Sequence, residues 1–162
     1  MAEDGAAQAE ASPASAPASA TPAPKDGGVG RALQTDFTAG SGNALQAAVA
    51  SVLGQSELDG VPNFIAAPEG YEASLRKWLG DRGLRFCKVQ LEGDGRLLAA
   101  DARAVGTPCV VRGTSPRGDH GHVVVGLVGS DGVSIEMVHD PHPDATMLRP
   151  PLVWCAFFPA EQ

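Results

Sequence analysis

The chain has 162 residues, 43% hydrophobic and 19% charged, which is room for one domain of ordinary size and not for two. Its formal net charge of -7 and pI near 4.9 argue against a nucleic-acid-binding surface. No apolar run approaches the roughly 20 residues needed to cross a bilayer as a helix, so a soluble protein with no membrane partner is expected. Cys87, Cys109 and Cys155 lie far apart in apolar surroundings. They form neither a disulfide framework nor a CxxC metal pattern, and a reducing compartment is the simpler reading.

Residues 1–30 are built from Ala, Ser, Pro and Gly, with Val29 the single large aliphatic side chain. Such a segment cannot bury enough apolar surface to offset the entropy of ordering it, so a disordered tail is expected, with the folded domain spanning 31–162. Glu3, Asp4, Glu10 and Asp26 against Lys25 give the tail -3, leaving -4 of the chain's -7 for the domain. A transit peptide would be rich in Arg and poor in acids, and a secretory signal would have a basic start and an apolar centre. The tail has neither character, and a cytoplasmic location is expected.

From Ala32 onward the pattern changes. Gly42-Asn43 precede an Ala-rich apolar run, Ala44 to Leu53, that Gly54 stops, which predicts a short buried helix. Residues 57–64 are punctuated by Gly and Pro and read as a loop. Tyr71, Leu75, Trp78 and Leu79 then recur at helical spacing, predicting an amphipathic helix that ends at Gly80. Strand-like runs follow at 84–91, 107–111, 121–128, 133–138 and 152–158, with Gly129–Gly132 as a hairpin loop between the third and fourth. Helices first and strands second predict an α+β domain, the helices packed on an antiparallel sheet.

All four histidines, His120, His122, His139 and His142, fall in the hairpin region. His122 opens one strand and His139-Asp140-Pro141 closes the next, so the predicted turn brings His122 and Asp140 to the same open end. A His beside an Asp is the arrangement in which a carboxylate fixes the imidazole tautomer. Such a pair commonly serves a Cys or Ser nucleophile at a helix N-terminus.

The order Gln34, then Gly42-Asn43 and an apolar helix, then His122-Val123-Val124-Val125-Gly126, then His139-Asp140-Pro141, resembles the papain-like cysteine peptidase superfamily. It is most similar to small bacteriocin-processing (double-glycine) peptidase-like domains, over about residues 33–158. The resemblance implies a papain-like fold, His122 as general base and Asp140 as its orienting partner. It also implies a nucleophile at the first turn of the first helix and Gln34 as an oxyanion donor, although Gln34 precedes that turn by a wider gap than is usual in the family. Asn43, through its backbone N–H, is a second donor candidate.

The nucleophile position holds Ala44, which has no nucleophilic atom. The cysteines sit in predicted strands, and Ser41 would be a displaced nucleophile; for Ser41 and Asn43 a turn or capping role is the alternative. The expected function is therefore a catalytically inactive peptidase-like domain with a peptide-binding cleft and no cofactor. Two alternatives stay open: an active cysteine peptidase in which Ala44 replaces a native Cys, and a metal-dependent hydrolase using His120, His122, His139 and His142. Arg117, in the loop Ser115-Pro116-Arg117-Gly118-Asp119, is a candidate for meeting a carboxylate-bearing ligand at the rim. Among the aromatic residues Tyr71 reads as core and Trp154 as the edge of a groove.

Overall fold

The computed structural model describes residues 28–162 except residue 39. The tail expected over 1–30 lies largely outside the described residues, but its last three belong to the fold. Val29 is buried in the core, and the Gly30 N–H donates to the Ser51 carbonyl at 2.7 Å. A Cβ at Gly30 would stand 1.9 Å from the Gln55 carbonyl oxygen, so only glycine permits this approach. Val29 and Gly30, assigned to the tail by composition, thus dock beside the first helix.

The described residues form two helices followed by five strands. Helix α1 spans Ala44–Val52 and helix α2 spans Tyr71–Gly80. The strands are β1 (Cys87–Gln90), β2 (Pro108–Thr114), β3 (Gly121–Val128), β4 (Ile135–His139) and β5 (Arg149–Phe157). They make one antiparallel sheet in the order β1-β5-β2-β3-β4. The α+β class and the antiparallel sheet expected from the sequence are both present.

Alternation along the strands divides the interior in two. Val110, Val123, Val125, Trp154 and Ala156 face α1 and α2, while Cys109, Val111, Val124, Val128 and Cys155 face a second cluster covered by Leu91, Leu97 and Leu148 from loops. Helix α1 settles close to β2 and β3 because Ala47, Ala48 and Ala50 are small and fully buried. Ser51 is also fully buried, its hydroxyl donating to the Ala47 carbonyl and accepting from the Ala32 N–H. Phe64, placed in a loop by its Gly and Pro neighbours, instead opens a short 3-10 turn (Phe64–Ala66) and is fully buried against Trp78.

The β3–β4 hairpin carries the feature that positions the site. Val128 pairs with Ile135 and Gly126 with Met137, but Val125 pairs with His139, so one extra residue, Val138, is accommodated in β4. That bulge reverses the facing of everything beyond it. Val138 packs against the helix-side core and the His139 ring bonds the Ala32 carbonyl, while Asp140 takes the phase of Val124 and His122. Had the register continued from Gly126–Met137, Asp140 would have stood opposite Val123 and faced the helices.

Candidate functional site

A cleft of about 560 Å³ opens where the start of α1 meets the start of β3. Gln34, Ala44, Arg112, His122, Tyr71 and Trp154 are among the residues that line it. Trp154 is thus at the groove edge as expected; Tyr71, expected in the core, is half-buried and lies stacked near Trp154 with ring centroids 6.3 Å apart.

His122 and Asp140 meet. Nε2 of His122 lies 2.7 Å from Asp140 Oδ1, with the two residues 7% and 3% exposed. Asp140 Oδ1 also accepts the His142 N–H at 2.9 Å, and Oδ2 accepts the Met147 N–H at 2.8 Å. Burial alone would push this carboxyl up, but the bonds from His122, His142 and Met147 together hold it below the ordinary carboxylate value. The loop that supplies these N–H groups is locally strained: Ala145 and Met147 adopt positive φ of 56° and 65°. Met147 therefore presents its N–H to Asp140 from a conformation that an L-residue rarely adopts.

With Asp140 ionised, the imidazole donates through Nε2–H, and Nδ1 is left with the lone pair, the nitrogen able to take a proton. Ala44 occupies the first position of α1 and lines the same cleft as His122. The N–H groups of the first helical turn have no intrahelical partner, and the Asn43 side chain does not cap them.

The two expected oxyanion donors are arranged differently from the expectation. The Asn43 N–H donates to the Asp36 carbonyl at 3.1 Å, so it is not offered to a ligand. Its side chain is likewise occupied: Oδ1 accepts the N–H groups of Thr35 and Asp36, and Nδ2 donates to Thr35 and Gln46. Asn43 folds the 35–36 segment against the helix start; its N–H is not available to an oxyanion and its side chain does not cap the helix. Gln34 is 7% exposed and lines the cleft; its Nε2 donates to the same Asp36 carbonyl, and its Oε1 is buried without a partner. The segment bearing Gln34 is held against the end of β4, with the Gln34 N–H on the Pro141 carbonyl and an Arg31 guanidinium nitrogen on the Val138 carbonyl.

The remaining histidines do not join His122 in a metal-ligand group, although His120 and His142 line the same cleft. His139 is turned to the Ala32 carbonyl, His142 lies against the Phe37 ring and accepts the Asp144 N–H, and His120 is exposed ahead of β3. Among the described residues no three His, Cys, Asp or Glu side chains are placed to hold a metal ion. The metal-ligand reading of His120, His122, His139 and His142 is therefore corrected by geometry: beyond the bulge at Val138 the His139 ring is turned to the Ala32 carbonyl, and the others do not assemble into a ligand group. Ser41 is exposed and is not among the residues lining the cleft, which removes it as a displaced nucleophile. Cys109 and Cys155 are fully buried, and Cys155 beside Cys109, together with burial, pushes the Cys109 thiol well up, away from the reactive thiolate.

Arg117 reaches the cleft, but its guanidinium is committed to Asp144 at 2.9 Å and Thr146 at 2.8 Å, with Asp140 Oδ2 at 3.9 Å. It braces the loop behind Asp140 and is not a free rim cation. Arg112, which sequence reasoning passed over, is the other arginine of the cleft. Its only signal in the sequence is a charged residue ending the apolar run 107–111, which reads equally well as a strand terminus. Among the described residues no helix is long and apolar enough to cross a membrane. Comparisons with protein-family models, with curated proteins and with solved structures gave no match.

Proposed function

We propose that this chain is a papain-like cysteine peptidase relative without its nucleophile, a pseudoenzyme that holds an extended peptide in the cleft between α1 and β3. The observation that carries the reading is the buried His122–Asp140 pair on the same cleft as Ala44 at the helix start. A carboxylate fixed by two backbone N–H groups and an imidazole is a costly arrangement to bury, and it has an obvious use beside a helix terminus. In a peptidase, Nδ1 of His122 would take the proton of a thiol at position 44. The first-turn N–H groups of α1 would then stabilise the oxyanion. With Ala44 in place no acyl-enzyme forms, and the same groups serve to bind a peptide carbonyl.

The test restores the thiol. In an Ala44→Cys variant, iodoacetamide at pH 6 is expected to alkylate the introduced thiol at least about tenfold faster than Cys87, the half-buried native cysteine, and His122→Ala in that background abolishes the excess. Mass spectrometry of tryptic peptides gives each site's rate. Equal rates at the two thiols in a folded variant would overturn the reading. The completeness of the His122–Asp140 pair also fits an active peptidase in which Ala44 replaces a native Cys. Turnover of a peptide pool by the Ala44→Cys variant favours that second reading, and alkylation without turnover favours the pseudoenzyme.

A further inference from the structure

We infer that Arg112 makes this cleft selective for an acidic peptide, by receiving a ligand carboxylate next to the segment that meets Ala44 and His122. The inference rests on the cleft reading above and names its ligand class. The chain carries -7, yet the cleft is lined by Arg112, Arg117 and three histidines with no Asp or Glu among the lining residues. Arg117 is neutralised by Asp144 and Asp140. The Arg112 guanidinium, by contrast, has no hydrogen-bond, ion-pair or ring partner among the described residues.

Its position is set by the sheet. Arg112 pairs with Val123 on one side and Trp154 on the other, so its stem runs between two apolar neighbours on the helix side. The guanidinium ends over Gly121, where a Cβ would come within 2.1 Å of Nη2. Glycine at 121 leaves the space that the charge occupies, one residue from His122. A half-buried guanidinium is poorly screened by salt and is costly to leave unpaired, and its planar fork matches a carboxylate. One unpartnered cation matches the single charge of a carboxylate better than the nearly double charge of a phosphate. Leu45, Ile65, Tyr71 and Trp154 supply an apolar surface for neighbouring peptide side chains.

The unmodified chain is titrated with N-acetyl-Ala-Asp-Ala-amide, with its Asn isostere and with inorganic phosphate, following the Arg112 Nε–H resonance by NMR. The Asp peptide is expected to shift that resonance and to bind about fivefold tighter than the Asn peptide, a preference that weakens only modestly with added salt. Arg112→Gln should equalise the two peptides. Gly121→Ala, which keeps the charge but pushes the guanidinium aside, should reduce the preference independently. Equal binding of the Asp and Asn peptides to the unmodified chain overturns the inference, as does a stronger response to phosphate than to the Asp peptide. The cleft reading fails separately: a thiol at position 44 that is unreactive to iodoacetamide counts against that reading, whereas a reactive thiol with no Asp preference removes the carboxylate subsite alone.

Discussion

Asp140 offers the sharpest energetic test of the site, because its side chain is fully buried and three donors depend on it. Asp140→Ala strips the acceptor from His122 Nε2–H and from the His142 and Met147 N–H groups. Each buried donor left alone costs about 1–3 kcal/mol, and partial relaxation brings the expected total to about 4 kcal/mol. Asp140→Asn keeps Oδ1 for His122 and His142 but turns an NH2 group toward the Met147 N–H, leaving one donor opposed, for about 2 kcal/mol. Urea unfolding of the three proteins measures both losses, with an unchanged m-value confirming that only stability has moved. The advantage of the parent over Asp140→Asn also has a pH signature. The folded-state carboxyl lies below its ordinary value of 3.8, so its contribution is fully present above that value and is lost as pH falls through the lower folded-state pKa. The expected gap is constant with respect to this carboxyl from neutrality down to about pH 5 and closes below pH 4. Losses under about 0.5 kcal/mol for both variants, or a gap that widens as pH falls below 4, would refute the assigned geometry.

Two further outcomes probe the hairpin that carries the site. Gly126→Ala would place a methyl 2.6 Å from Ile135 Cγ2 and 3.0 Å from Val111 Cγ2, and the overpacking is expected to cost about 1–3 kcal/mol in the same urea assay. In the β3–β4 turn, the Asp131 carboxyl is lowered to about 2, first by the Ser134 hydroxyl and then by the N–H groups of Ser134 and Val133. Ser134→Ala should therefore raise it toward the ordinary 3.8, read as a shifted carboxyl titration by 13C NMR.

How much of this was legible beforehand depends on which interactions the chain order exposes. Hydrophobic period and glycine punctuation located α1, α2 and the hairpin, since these depend on neighbours within a few residues. The docking of Val29 and Gly30 escaped, because the Gly30 contacts with Ser51 and Gln55 reach some twenty residues along the sequence. Likewise, nothing in the local sequence says that Gln34 and Asn43 both donate to the Asp36 carbonyl, since residue type reports capacity to donate and not where the bond goes.

The His122–Asp140 meeting is the instructive case, since the proximity was readable and its cause was not. Hairpin arithmetic brings the two residues to one end of β3 and β4, but proximity along the strands does not fix the face. In an unbulged hairpin of this register Asp140 would pair with Val123 and point toward α1, where the bond to His122 cannot form. The extra residue at Val138 turns Asp140 back into phase with His122, and it also turns His139 toward Ala32, anchoring the segment that delivers Gln34. One irregularity in the ladder thus brings His122 and Asp140 together, turns His139 away from the other histidines and fixes one wall of the cleft. Valine and histidine are ordinary strand residues, and a bulge between them leaves no mark in composition or periodicity. For a site of this kind, the face on which a residue lands is decided by backbone pairing, and the sequence pattern alone could nominate the partners without deciding that they touch.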